Sequence, residues 1–253
     1  MFHSRKEDAI DAPRPACLMF SCEHGGHQVP TRHAELFAGQ ETLLASHRGW
    51  DPGALTLAKA LARTFDAPLH ASTTTRLLVD LNRSPGHAQQ FSEVTRKLPP
   101  GELHAIASRY YAPHRQRLES AIAARVAAGD QVIHIASHSF TPVLDGTVRR
   151  ADVAWLYDPR RRSEFRISQR WRSSLQLRRP DLQLRCNYPY RGRSDGLTMR
   201  FRRRFSDESY VGIELEVNQR FAAAGGREWQ RLRSDIIDAL GAALDIETQS
   251  ADR

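Results

Sequence analysis

Four apolar runs in this chain break into polar residues that could do chemistry: S-C-E-H-G-G-H-Q-V-P at 21–30, V-D-L-N-R-S-P at 79–85, I-A-S-H-S-F at 135–140 and I-E-L-E-V-N-Q at 213–219. Each alone has an ordinary explanation. His24 or His138 can be a loop histidine, Glu214 and Glu216 a solvent-facing pair on one strand face, and Asp80, Asn82 and Arg83 a self-contained turn. The signal is their combination, because open α/β sheets bind ligands beyond the carboxyl ends of their strands. Neutral imidazoles plus a carboxylate, held on separate rigid strand ends, are what a catalytic zinc needs, with the fourth position open to water. Such an ion lowers the pKa of water to about 7 and polarises a carbonyl, and a nearby glutamate can take the proton. Arginines converging on the same place would hold a carboxylate by paired hydrogen bonds. Arg76, Asn82 and Arg83 read as a clamp for an anionic group, and Asp80 as the carboxylate that orients its neighbours.

The elements that must position these residues are legible as alternating strands and helices. Strands are expected at 16–22, 68–73, 77–81, 131–137, 153–157, 182–187 and 211–217, the last with strict alternation at its end. Helices are expected at 31–38, at 101–128 with Gly129 as its stop, at 166–177 and at 227–245. A further helix follows Asp51, which is placed to cap it with Pro52 in the first turn and Leu55, Leu57, Ala58, Leu61 and Ala62 on its apolar stripe. This order implies an α/β fold, a mostly parallel or mixed central sheet with helices on both faces.

The 253 residues suffice for a core without disulfides, and a single domain over 1–253 is expected, with 1–14 and 246–253 frayed. Three cysteines with no C-x-x-C pattern suit a reducing compartment. The N-terminus lacks a signal-peptide run and no apolar window of about 18 residues occurs, so a cytoplasmic protein with no membrane segment is expected. A net charge of +8, from 37 Lys and Arg against 29 Asp and Glu, favours anionic partners. Much of the excess lies in R-R-R, R-W-R, R-R-P and R-F-R-R-R-F between 159 and 205. No zinc-finger, helix-turn-helix or RNA-binding signature accompanies these runs, so they read first as solvated faces rather than a nucleic-acid surface.

The ordered set C-E-H-G-G-H-Q-V-P, G-W-D-P-G-A, R-L-L-V-D-L-N-R, Y-Y-A-P-H, S-H-S-F, N-Y-P-Y-R-G and I-E-L-E-V-N-Q-R-F resembles the N-formylglutamate amidohydrolase family across roughly residues 16–222. The D-L-N-R and H-S-F elements also look like those of aspartoacylases and zinc carboxypeptidases, which share a related architecture. The resemblance implies an amide hydrolase with one Zn²⁺ per chain, acting on a small anionic N-acyl amino acid. His24 matches the first metal histidine and His138 the last; the middle ligand is Asp51 or His27, with topology favouring Asp51. Glu216 matches the general base, with Glu214 as runner-up, and Arg76 is implied both in catalysis and, with Asn82 and Arg83, in binding the substrate carboxylate. Asp80, His114, Asn187 and Tyr190 are further candidates, and the N-Y-P-Y-R-G loop is expected to close over the substrate. Two features depart from the family: Glu23 stands where Pro or Asp is usual, and the basic segment 159–205 has no counterpart. The readings that compete are a carboxypeptidase-like peptidase, a metal-free relative that only binds acidic ligands, and a basic nucleic-acid-binding protein. The sequence does not set the oligomeric state.

Overall fold

The apolar run Ala16–Cys22 forms β1 and lies inside a six-stranded sheet. The computed structural model describes residues 15–245, so the frayed ends expected at 1–14 and 246–253 lie outside the described residues. After β1 come a 3₁₀ helix at Thr31–Phe37, α1 at Glu41–Ala45, α2 at Ala54–Thr64 and β2 at Leu69–Ala71. A long helical stretch follows as α3 at Pro100–Ile106, a π turn at Ala107–Tyr111 and α4 at Ala112–Ala127. The widened turn adjoins Pro113, which has no N–H to give the preceding turn.

Next come β3 at Gln131–Phe140, a small hairpin of β4 at Val143–Leu144 and β5 at Thr147–Val148, and β6 at Val153–Leu156. The chain ends with α5 at Arg162–Arg178, β7 at Leu184–Cys186, α6 at Leu197–Arg204, β8 at Tyr210–Asn218, α7 at Gln219–Ala224 and α8 at Gly226–Leu244.

The sheet order is β2-β1-β3-β8-β6-β7. The first four strands are mutually parallel, β6 runs antiparallel to β8, and β7 is parallel to β6. Alternation sorts the two faces. Ile133 and Ile135 of β3 and Val211, Ile213 and Leu215 of β8 pack with the stripes Leu57–Leu61, Ile167–Trp171–Leu175 and Leu232–Ile236–Leu240 of α2, α5 and α8. Val132 and Tyr210 face the other way, onto Leu118 and Ile122 of α4 and Leu197 and Phe201 of α6. The expected fold class is therefore the one observed. No helix among the described residues is long and apolar enough to cross a membrane.

Two expectations fail for instructive reasons. Residues 77–81 form no strand: Leu77, Leu78, Val79 and Leu81 are all buried, but in a separate cluster with Phe37, Ile106 and Tyr111. Their carbonyls bond to side chains instead of a ladder, with Ser92 Oγ donating to Leu77 (2.5 Å), Thr95 Oγ1 to Leu78 (3.2 Å) and Arg115 to Leu81 (2.9 Å). Asp51 does not cap α2 with its side chain. Gly53, in the left-handed region at φ +84°, holds the cap position, and a Cβ there would lie 2.6 Å from Ala222.

Candidate metal centre and active site

His24 follows the end of β1 in the glycine turn H-G-G. A Cβ on Gly25 would lie 2.8 Å from the Ser72 carbonyl, so glycine lets this turn press against the chain leaving β2 and aims His24 over the sheet end. The Asp51 backbone N–H donates to the His24 carbonyl (2.9 Å), tying the two loops together. His138 projects from β3, paired in register with Glu216 of β8.

These elements bring His24, Asp51 and His138, all buried, into one group whose ligand atoms lie within 4.8 Å of one another. Asp51 Oδ2 is 3.3 Å from His24 Nδ1 and 3.0 Å from His138 Nδ1. Ligands on a tetrahedral ion with bonds of about 2.0 Å stand roughly 3.3 Å apart, so the separations suit such an ion. The donor set, two imidazoles and a carboxylate, is equally suited to a divalent metal with one open position. His27 is exposed, its ring tilted against Trp50 at 5.1 Å between centroids, and it has no place in this group.

The far nitrogens of both rings face carboxylates. His24 Nε2 is 2.8 Å from Asp80 Oδ1, which draws the Nε2 proton toward Asp80 and leaves Nδ1 as the nitrogen facing Asp51. Asp80 also accepts from Arg76 through Oδ2 (2.6 Å) and from the Asn82 backbone (2.9 Å). Arg76 reaches Asp51 as well (3.4 Å). Its guanidinium thus holds two site carboxylates while bordering the cavity, an arrangement different from a free clamp.

Electrostatics follow from this packing. Burial alone would raise Asp80, yet Arg76 and His24 hold it well below the usual carboxylate range. His24 is pushed down by burial and Arg76 but raised overall by Asp80 and Asp51. His138 is raised well above the ordinary imidazole value, with Asp51 and Glu23 outweighing burial. Glu216 goes the other way from most carboxylates: burial, reinforced by Asp51 and Glu214 and only partly offset by His138, pushes it up to about 8. Its Oε2 makes no hydrogen bond.

Glu216, Arg83, Asn82 and the His24–Asp51–His138 group line one cavity of about 240 Å³. Arg83 donates to the Asp195 carbonyl (3.2 Å), and Asn82 Oδ1 accepts from the Leu197 backbone (2.7 Å), committing the amide oxygen and leaving its N–H groups as donors. Glu214 also borders the cavity, where its Oε1 accepts from Thr198 Oγ1 (2.6 Å). His114 is buried on α4, behind the cavity.

The N-Y-P-Y-R-G segment forms part of the cavity wall and is pinned at Asn187 and Gly192. Asn187 does not line the cavity; its Oδ1 accepts from the backbone N–H of Tyr157 (3.2 Å) and Gly192 (2.8 Å). Gly192 is pressed onto the Tyr157 backbone, where a Cβ would come within 2.1 Å, and Arg202 donates to the Gly192 carbonyl (2.5 Å). Tyr190 and Arg191 remain at the cavity mouth. Reading by motif missed Arg191 and His47, which also line it, and gave Glu23 no role. Period-2 alternation from Met19 through Ser21 places Glu23 on the α4 side of the sheet, a signal that was available.

Three arginines of the basic segment, Arg161, Arg179 and Arg202, tie elements together, while most of the others are exposed. Arg202 pairs with buried Glu164 (2.8 Å) and donates to Gly212 (2.7 Å). Arg179 holds Asp181 (2.8 Å), Glu228 (2.7 Å) and Asp235 (3.3 Å), and Arg161 donates to the Tyr210 carbonyl (2.7 Å). These three cations are anchors between elements.

No curated protein matches this chain. Two solved structures share its fold. Gene product Atu2144 from Agrobacterium tumefaciens is 26% identical, with 92% of each chain covered and a TM-score of 0.74. N-formylglutamate amidohydrolase from Ralstonia eutropha JMP134 is 18% identical, with 92% of this chain and 94% of that one covered and a TM-score of 0.68. The sequence profile of the N-formylglutamate amidohydrolase family matches residues 16–223, a span that contains every residue of the cavity described above. The chain belongs to the N-formylglutamate amidohydrolase family.

Proposed function

We propose that this protein is a metal-dependent amidohydrolase that removes the formyl group, or another small acyl group, from an acidic amino acid. The observation that carries the reading is the placement of Asp51 Oδ2 between the Nδ1 atoms of His24 and His138, with the unpartnered carboxyl of Glu216 in the same cavity. A divalent ion of the zinc class, held by those three atoms, would supply water of lowered pKa and polarise the acyl carbonyl.

The chain's own groups do the rest. Asp80 fixes the His24 ring, and Arg76 fixes Asp80 and Asp51. Arg83 and the Asn82 amide bind the substrate carboxylate, which places the acyl carbon toward Glu216. Glu216 accepts a proton from the attacking water; as the C–N bond breaks, it delivers that proton to the departing amine. Burial raises Glu216 to about 8 without a metal, and a bound divalent cation would favour the ionised form that accepts the proton. The developing oxyanion lies near the cationic edge of Arg76. A cavity of about 240 Å³ has room for an N-acyl amino acid.

The test is a panel of N-formyl and N-acetyl derivatives of aspartate, glutamate and neutral amino acids, with short peptides, assayed with added zinc and with a chelator. Hydrolysis of acidic N-formyl or N-acyl substrates that stops on chelation is expected. Chelator-insensitive turnover, or turnover of peptides alone, would overturn the proposal.

A further inference from the structure

Glu23 takes part in none of the steps above. It is wholly buried, and no hydrogen bond reaches either carboxylate oxygen. Instead Oε2 lies 3.3 Å from His138 Nε2, and Oε1 lies 3.6 Å from His114 Nε2. A carboxylate withdrawn completely from water persists only where N–H donors or cations face it. Here the facing groups are two imidazoles from two different elements, β3 and α4. The opposite nitrogen of His138 is the one 3.0 Å from Asp51. Glu23 therefore stands behind His138 as Asp80 stands behind His24, at the nitrogen pointing away from the metal group.

We infer that Glu23 is a positioning residue for the metal centre: it accepts from His138 Nε2–H, directs the Nδ1 lone pair toward the ion, and is itself held by His114. The inference rests on the metal-centre reading of His24, Asp51 and His138. Carboxylates behind ligating histidines fix the tautomer and the ring plane, and their loss typically weakens metal binding about 10- to 100-fold. Both contacts are long for hydrogen bonds. A purely structural Glu23, serving only to satisfy His114, would leave metal binding unmoved.

The experiment uses the full chain, stripped by chelation and titrated with Co²⁺, reading both the dissociation constant and the visible ligand-field band, with thermal melting of the stripped protein as a check on folding. Glu23→Gln is expected to melt cooperatively, bind Co²⁺ about 10- to 100-fold more weakly and show an altered band. Glu23→Asp, which keeps the charge on a shorter stem, should fall between that variant and the wild type. His114→Gln should weaken binding in the same direction by at least about threefold, and it carries the test if Glu23→Gln does not fold. Binding by Glu23→Gln, or in its place His114→Gln, within about twofold of wild type and with an unchanged band overturns this proposal and leaves the metal centre standing. Wild-type protein that takes up no Co²⁺ or Zn²⁺ overturns both.

Discussion

Replacing Asp80 with Asn keeps the side chain's shape and removes one charge from a buried cluster. In the native protein Oδ1 accepts from His24 Nε2 at 2.8 Å and from the Asn82 backbone at 2.9 Å, while Oδ2 accepts from Arg76 at 2.6 Å. Asn offers one acceptor and sets an N–H₂ group against either an imidazole N–H or a guanidinium. Two charge-assisted hydrogen bonds are weakened or lost, each worth about 1.5–3 kcal/mol. The Arg76 side chain is 26% exposed, so water recovers part of its share. A loss of about 3–4 kcal/mol follows, consistent with breaking a buried ion pair.

For a domain of this size each kcal/mol moves the melting temperature by about 2–4 °C, so the variant should melt about 6–15 °C lower at neutral pH. The pH dependence gives a second, independent reading. Burial would raise Asp80, but Arg76 and His24 hold its native pKa well below the unfolded value. Its contribution is therefore complete above the unfolded pKa of about 4 and disappears as pH falls through the native value. The gap between wild type and variant should be widest near neutrality and narrow as pH falls from about 5 toward 2. Calorimetry of the chelator-treated proteins across that range decides it. A variant that melts within about 2 °C of wild type at pH 7, or a gap that stays constant down to pH 3, would refute the reasoning.

Three further outcomes are expected. Glu216→Gln should lower kcat by about 10²- to 10⁴-fold while metal content by elemental analysis stays unchanged; near-native turnover would remove Glu216 from proton transfer. Metal uptake should release protons, because His24 and His138 hold theirs above the usual imidazole range and Glu216 is pushed up to about 8. Ligation needs neutral rings, so affinity should fall as pH drops from about 8 to 6, and calorimetry in buffers of differing ionisation heat should register the release. Arg83→Ala should raise KM about 10- to 100-fold with kcat little changed, the mark of a group that binds the carboxylate equally in ground and transition states; an unchanged KM would show that another group holds it.

What the chain alone determined was the class of fold and the candidates for the site. Alternation in V-G-I-E-L-E-V and the helical stripes at 57–61, 167–175 and 232–240 are local hydrophobic patterns, and such patterns dictate which face of an element is buried whatever it packs against. His24, His138 and the Glu214–Glu216 pair stand out as polar residues at the ends of apolar runs, whereas Asp51 as a ligand and Glu216 over Glu214 come from the family resemblance. The tertiary structure decided what those residues touch. R-L-L-V-D-L-N-R reads as a strand by composition, yet its backbone is satisfied by Ser92, Thr95 and Arg115, none of which is adjacent in sequence. Asp51 reads as a helix cap, yet its carboxylate turns to two histidines 27 and 87 residues away. Asn187 and the arginines at 161, 179 and 202 look like surface or ligand groups, but long-range pairing makes them structural. Hydrophobic burial is set largely by a residue's own period along the chain, whereas the partner of a buried charge is set by which distant element the fold delivers to it.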